Sequence, residues 1–485
     1  MDNKIKTKVI SGFIWQFAES CGAQIVSFIV SIILARILEP TDYGTISLLL
    51  VFITILNVFV DSGLGNALVQ KKDADDADFS TVFIFNIFMC ITLYAIMFLC
   101  APAIAIFYGD KSLVALIRVL SIIILISGVK NVQKAYVSKH MYFKKFFFAT
   151  LGGTICSAFI GIILAYSGFG VWALVIQQLS NMLIDTIVLW YIVKWKPQWI
   201  FSLTRLKPLL LYGWKLLLAR LLDTVYNNLT QLIIGKQFST ADLAYYNRGQ
   251  QFPNLIVSNV NSSIDGVLFP VMSKEQEDTY LVRKMTQRAI TVSSFIMWPM
   301  MIGLTVIAEP LVRFVLTDKW LECVPYLQIF CLSYALYPIH TANLNAIKAL
   351  GRSDIFLKLE LIKKIIGILI IVVGISFGTF GLAIAILISS IISTFINAYP
   401  NKKKLDYSYI QQIKDILPSI IMSLIMGAIV YPIKFLSINS VIIVILQVIA
   451  GIIVYIFEAK IIKSNTYDFV VGIIKEKKAQ MRKNG

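Results

Sequence analysis

The run from 43 to 61, YGTISLLLVFITILNVFVD, carries no charge before its last residue. Coiled as an α-helix it is about 28 Å long, close to the thickness of a bilayer's hydrocarbon core. A strand of that length would leave its backbone unpaired in lipid, so the run reads as a membrane-crossing helix. Similar stretches recur along the chain, near 9–35, 79–103, 112–137, 146–166, 169–193, 209–234, 242–270, 289–308, 321–349, 357–376, 379–398, 413–431 and 439–458. The expected fold is therefore all-α and polytopic, with about fourteen transmembrane helices. The mean hydropathy of +0.78 agrees. So does a composition that is 58% hydrophobic and only 15% charged.

A net charge of +17 on 485 residues could point to nucleic acid. Here the basic residues fall in loops, and no run alternates them with exposed aromatics, so a nucleic-acid partner is not expected. Lys and Arg are several-fold more abundant at the two ends and in the even-numbered loops than in the odd-numbered ones. That bias puts both termini in the cytoplasm and supports an even number of crossings. The start, with Lys4, Lys6 and Lys8 ahead of a long segment holding Gln16, Glu19 and Gln24, reads as a retained first helix rather than a signal peptide. Six scattered cysteines show no metal spacing, and His140 and His340 are the only histidines. No metal, cofactor or catalytic residue is expected.

The chain also repeats. SGFIWQFAESCGAQIVSFIVSIILARILEPTDYG from Ser11 pairs with YGWKLLLARLLDTVYNNLTQLIIGKQFSTADLAYYNRG from Tyr212, matching Gly12 to Gly213, Arg36 to Lys236 and Asp42 to Asp242. NVQKAYVSKHMYFKK from Asn131 pairs with NLNAIKALGRSDIFLK from Asn343, and SGFGVWAL from Ser167 with GTFGLAIA from Gly378. The expectation is two pseudo-symmetric six-helix lobes, 1–200 and 201–405, then two further helices and a basic cytoplasmic tail over 406–485. Parallel repeats imply a cavity between lobes.

ARILEPTDYGTISLLLVF from Ala35 and DSGLGNALVQKKDADDADFSTVFIFN from Asp61 resemble the polysaccharide-transport (Wzx-type) flippases of the multidrug/oligosaccharidyl-lipid/polysaccharide exporter superfamily. The likeness is nearest to the colanic-acid and teichuronic-acid exporter branch and spans roughly the first twelve helices. It implies a multi-pass protein of a bacterial cytoplasmic membrane. Its substrate would be an oligosaccharide on undecaprenyl pyrophosphate, turned across the membrane by alternating access. It also implies H+ or Na+ as coupling ion, with a polysaccharide polymerase and a chain-length regulator as partners alongside membrane lipids.

Charge inside a membrane helix is costly and marks function by default. Steps of three and four gather polar residues onto single helix faces. One face holds Gln16, Glu19, Ser27 and Ser31, and another Ser47, Thr54, Asn57 and Asp61. A third holds Arg220, Asp223, Asn227 and Gln231 with Lys215 nearby, and a fourth Arg248, Gln251, Asn254, Ser258, Asn261 and Asp265. Arginine's planar fork suits phosphate oxygens, and the amides of Asn57, Asn227, Gln231, Gln251 and Asn254 suit sugar hydroxyls. Arg220, Arg248 and Lys215 are thus the expected head-group contacts, and Glu19 and Asp223 the expected ion-coupling carboxylates. The competing readings are structural: Arg220 and Asp223 neutralise one another at i and i+3, and Glu19 pairs with an arginine.

Two other functions compete. A multidrug exporter would favour acidic rather than arginine-rich walls. A membrane-embedded glycosyltransferase or polymerase would place catalytic groups on a sizeable outer loop, whereas the longest here is Glu309 to Trp320. Asp185 and Arg118 read as locally paired, Lys130 and Lys134 as snorkelling to the interface, and Asp73, Asp75, Asp76 and Asp78 as a solvated loop capping the next helix. Pro253 and Pro299 read as kinks, and Pro270 as a helix end.

Overall fold

The computed structural model describes residues 22–61 and 63–484, and there it is helical almost throughout. Nine of the described helices are long and apolar enough to cross a membrane. The chain packs as two compact units divided between Ala244 and Tyr245. The expected division near residue 200 follows the sequence repeat, whereas this one follows contacts.

The first unit opens with α1 (Gly22–Ile37) and α2 (Pro40–Asp61). It continues through α3 (Leu64–Gln70), α4 (Asp76–Tyr108), α5 (Leu113–Leu120), α6 (Ile122–His140), α7 (Phe143–Tyr166), α8 (Val171–Val193) and α9 (Leu203–Gln237). Three of these starts have a local cause. Asp42 accepts from the Glu39 amide at 3.2 Å at the start of α2. Asp75 and Asp78 form a capping box on α4. Gly168 and Gly170 both take positive φ in the turn from α7 to α8. Between these two helices Gly161 lets the side chain of Gln177 lie flat against the backbone, the small-residue packing that membrane helices use.

The core at the α4 start joins Leu64, Leu68, Phe79, Phe83, Val132, Leu189, Trp195 and Leu206. Over it the segment 194–202 is strapped to α4. The Trp195 indole donates to Asp76 at 3.1 Å, and the amides of Gln198 and Ser202 donate to Ser80 and Thr81 at 2.9 and 3.3 Å. Arg205 closes the strap on Asp75 at 2.6 Å and Asp78 at 3.3 Å. The guanidinium holds the Asp75 carboxyl down at about 2. The acidic loop thus caps its helix as expected, but Asp78 is fully buried between Lys71 and Arg205 rather than solvated.

The second unit begins inside α10 (Thr240–Lys274) and holds α11 (Thr279–Leu316), the 3-10 turn Asp318–Cys323, α12 (Val324–Ala335) and α13 (Tyr337–Ala349). α14 (Ser353–Ile375), α15 (Gly378–Leu405), α16 (Tyr409–Val430), α17 (Ser440–Ile461) and α18 (Asn465–Asn484) complete it. α10 runs through both Pro253 and Pro270, so Pro270 does not end it; tertiary packing holds the helix past the lost amide. The α14–α15 hairpin repeats the α7–α8 design, with Gly378 at positive φ and Gly374 against Ala385. Asn343, Asn401 and Gln412 tie α13, α15 and α16 through buried amide hydrogen bonds. Outside these cores, side chains such as Phe159, Ile163, Leu369, Val372, Ile453 and Phe457 are exposed, as a lipid-facing surface requires.

Candidate functional site

The site is built on the antiparallel pair α2 and α9. Gly63, at φ +69°, lies against the backbone of Gly213. Gly235 receives the side chain of Leu48, and Gly44 abuts the backbone of Thr240. A side chain at Gly44 would meet the Thr240 carbonyl at 1.6 Å, so this approach demands glycine. Lys236 donates to the Phe107 carbonyl and its ammonium lies 4.4 Å from the Phe107 ring centre, which ties the far end of α9 to α4.

Between these glycine contacts Arg220 meets Asp61 at 2.9 Å. The arginine side chain is 59% exposed and the aspartate 38%. The pair orients the guanidinium while leaving most of its donors accessible. Lys215, Asp223 and Asn227 are exposed on α9, Gln231 is half-buried below them, and Asn57 is half-buried one turn from Asp61 on α2. The first unit thus presents a hydrophilic strip of one oriented arginine, a lysine and several amides. Its use of Asp61 as the partner of Arg220 went unread in the sequence. The signal was there, because Asp61 ends the same face as Asn57.

The second unit treats its arginine differently. Arg248 is 5% exposed, donates to Gln251 at 2.5 Å and lies 5.2 Å from the Trp320 ring centre. Gln250 donates to the Tyr334 hydroxyl at 2.7 Å. Gln251 is half-buried and Asn254 exposed. The expected pairing of two accessible arginines gives way to one presented and one enclosed. Arg248 sits where α10 packs on the Asp318–Cys323 turn, and a long side chain there is covered by an aromatic ring. Glu19 lies outside the described residues.

The charges set aside in the sequence are also placed. Arg118 donates to the Phe98 carbonyl and stacks on its ring. Lys130 does not reach for the interface but pairs with the buried Asp185. Among the described residues no cluster of His, Cys, Asp and Glu could hold a metal.

Residues 33–325 match the family described as polysaccharide biosynthesis protein. The chain belongs to that family. It is 24% identical over 353 residues to the teichuronic acid biosynthesis protein TuaB of Bacillus subtilis, covering 72% of this chain and 73% of the relative. It is 24% identical over 438 residues to the lipopolysaccharide biosynthesis protein WzxC of Escherichia coli, covering 87% and 88%. Among solved structures it resembles the lipid II flippase MurJ in an inward closed conformation. The TM-score is 0.75 with 17% identity, over 93% of this chain and 98% of that one. That likeness shows the fold. With nine of the described helices long and apolar enough to cross a membrane, this family member is a multi-pass membrane protein.

Proposed function

We propose that this protein is a flippase that carries lipid-linked oligosaccharide units across the cytoplasmic membrane for surface polysaccharide assembly. The observation that carries the reading is the exposed strip on α9, with Arg220 held by Asp61 at 2.9 Å. Arg220 and Lys215 hold the pyrophosphate, whose paired oxygens fit a guanidinium fork. Asn57, Asn227 and Gln231 of the first unit hydrogen-bond sugar hydroxyls at little desolvation cost, and Gln251 and Asn254 offer the same amide chemistry on the second unit's own α10 face. Arg248 supports the α10 face on which Gln251 lies. Family membership and the flippase-like fold support the reading.

The cycle is alternating access by rocking of the two repeat lobes, 1–200 and 201–405, with both termini cytoplasmic, fourteen crossings and H+ or Na+ as the coupling ion. Glu19 and Asp223 belong to that proposal as carboxylates able to exchange a cation. The polymerase and chain-length regulator receive the flipped unit.

A multidrug exporter shares the superfamily, so the substrate test must separate the two. Purified protein in liposomes is offered a fluorescent lipid-linked oligosaccharide or a lipophilic cationic dye. The expected result is flipping of the lipid-linked sugar, loss of that flipping in Arg220→Ala, and partial rescue in Arg220→Lys. Transport of the dye alone, or unimpaired flipping by Arg220→Ala, would overturn the assignment.

A further inference from the structure

The first unit contains a charged contact that its packing does not require. α8 carries one charged residue, Asp185, and it is 3% exposed. Its Oδ2 accepts from the Lys130 ammonium on α6, while its buried Oδ1 has no hydrogen-bond partner. The lysine is itself largely covered: Met182 lies 4.0 Å from its nitrogen, and the Phe146 ring centre 5.8 Å away. On the far side α7 closes in, with Gly153 so near that a methyl there would meet the Asp185 Cβ at 2.9 Å. Asn181, one turn before Asp185, donates to Ser157 at 3.2 Å and brings further oxygens to the same α7–α8 seam.

The internal repeat supplies a comparison. α6 and α8 correspond to α12–α13 and α15, and Asp185 falls within one residue of the position of Asn397. In the second unit that place is filled without a carboxylate. Asn397 contacts His340 Nδ1 at 3.0 Å, and His340 Nε2 contacts Ser390 at 3.3 Å. The same helix pair is therefore braced by neutral polar groups in one unit and by an ion pair in the other. A buried ion pair repays its desolvation poorly, and replacing it by neutral groups is often stabilising. Bracing alone does not account for the charge.

We propose that Asp185 is a small-cation site of the first unit, at which the Lys130 ammonium is the resident occupant and a proton or sodium ion the exchanging one. The inference rests on the transport reading and names a further site for its coupling ion, in addition to the carboxylates of Glu19 and Asp223. The arriving cation takes the carboxylate and frees the ammonium, which loosens the tie between α6 and α8. Few other charges compete for the carboxylate. α6 adds the exposed Lys134 and, in its last turn, Lys139, bound to the Lys71 carbonyl at 2.7 Å, and His140, set against the Tyr136 carbonyl at 2.9 Å; α7 adds Lys144 and Lys145, the latter bound to the Ile192 carbonyl at 3.2 Å. α5 offers Arg118, stacked on Phe98. α2 offers Asp61, paired with Arg220, and Asp42, which caps its own helix.

The site has a built-in reporter. The Trp190 indole on α8 donates to the Val129 carbonyl, next to Lys130, at 3.2 Å. Tryptophan emission of the purified full-length protein is titrated with acid, and separately with sodium chloride against choline chloride. The Trp190→Phe variant supplies the background to subtract. The expected result is a saturable change in one titration, which identifies the ion. Asp185→Asn abolishes it, and Lys130→Gln shifts it to about tenfold lower cation concentration by removing the competitor. The double variant Lys130→Gln/Asp185→Asn reproduces the neutral bridge of the second unit; it stays folded and silent. A flat response of the wild type in both titrations, or an undiminished one in Asp185→Asn, overturns the proposal. Failure of the flippase reading looks different: the Trp190 response persists, but no lipid-linked sugar is flipped.

Discussion

The two arginines that sequence periodicity places alike are put to different uses, and single substitutions separate them. Arg220 is exposed and its bond to Asp61 crosses solvent-accessible space, so Arg220→Ala should cost about 1 kcal/mol of stability or less while removing transport. Arg248 is enclosed against Trp320 and Gln251. Arg248→Ala strips packing and donors from a buried place and should cost about 3 kcal/mol. Thermal melting in detergent, read beside a flipping assay, checks both. Asp61→Asn should leave the protein as stable as the wild type but lower transport, because the guanidinium loses its orientation. Arg205 offers a pH test. It holds Asp75 at about 2 against the ordinary 3.8, so the carboxylate's contribution is fully present above about pH 4 and fades as pH falls toward about 2. Hydrogen exchange of the 194–202 amides should therefore be slow and nearly pH-independent in its opening term above pH 4. In Arg205→Ala it should already be fast at neutral pH. Equal protection in the two proteins would refute the strap. Asp78, read in the sequence as solvated, shows why such residues mislead. Its burial depends on Lys71 and on Arg205, which arrives from far along the chain, and local spacing carries no trace of that partner.

Glycine contacts decide the geometry of the α2–α9 pair. Gly63→Ala should cost about 1–3 kcal/mol, since the residue sits at positive φ and against Gly213. Gly44→Ala should cost more and lower transport too, because the Thr240 carbonyl cannot move without the start of α10. A lower melting temperature in both variants, with the larger drop for Gly44→Ala, is the measurement; an unchanged melt for either would show that the contact does not hold the pair together. Most of the elements were legible beforehand, because long uncharged runs have one structural outcome in a bilayer. The polar stripe on α9 was legible too, from steps of three and four. The ends were less so. α9 begins at Leu203, several residues before the apolar run, because the LTRLKP segment is amphipathic and docks on the α3–α4 core. α10 passes Pro270 because packing overrides the local penalty. The Lys130–Asp185 pair was read as a snorkelling lysine and a locally paired aspartate. Only the fold brings residues on α6 and α8 together, and a face pattern on one helix cannot name its opposite number.

At the scale of the whole molecule the charge asymmetry between loops predicts orientation. Reporter fusions after Lys71, Lys196 and Lys403 should report cytoplasm, and those after Lys111, Lys236 and Lys319 the opposite side. A consistent inversion beyond any one helix would remove the proposed arrangement of fourteen crossings. The two compact units were not legible as such, since the repeat suggests a boundary near residue 200 whereas α9 packs with the first unit. The units divide at Ala244–Tyr245, inside the continuous helix α10 rather than in a loop. A helix counts residues as angle: one residue added there would turn the rest of α10 by about 100° against its own start and advance it by about 1.5 Å. Seven added residues would nearly restore the phase, to within about 20°, but at the cost of two extra turns. α10 is therefore keyed like a shaft along its own length: Leu243, Ala244 and Tyr246 are buried there, and a residue gained or lost would rotate such side chains off the face they fill.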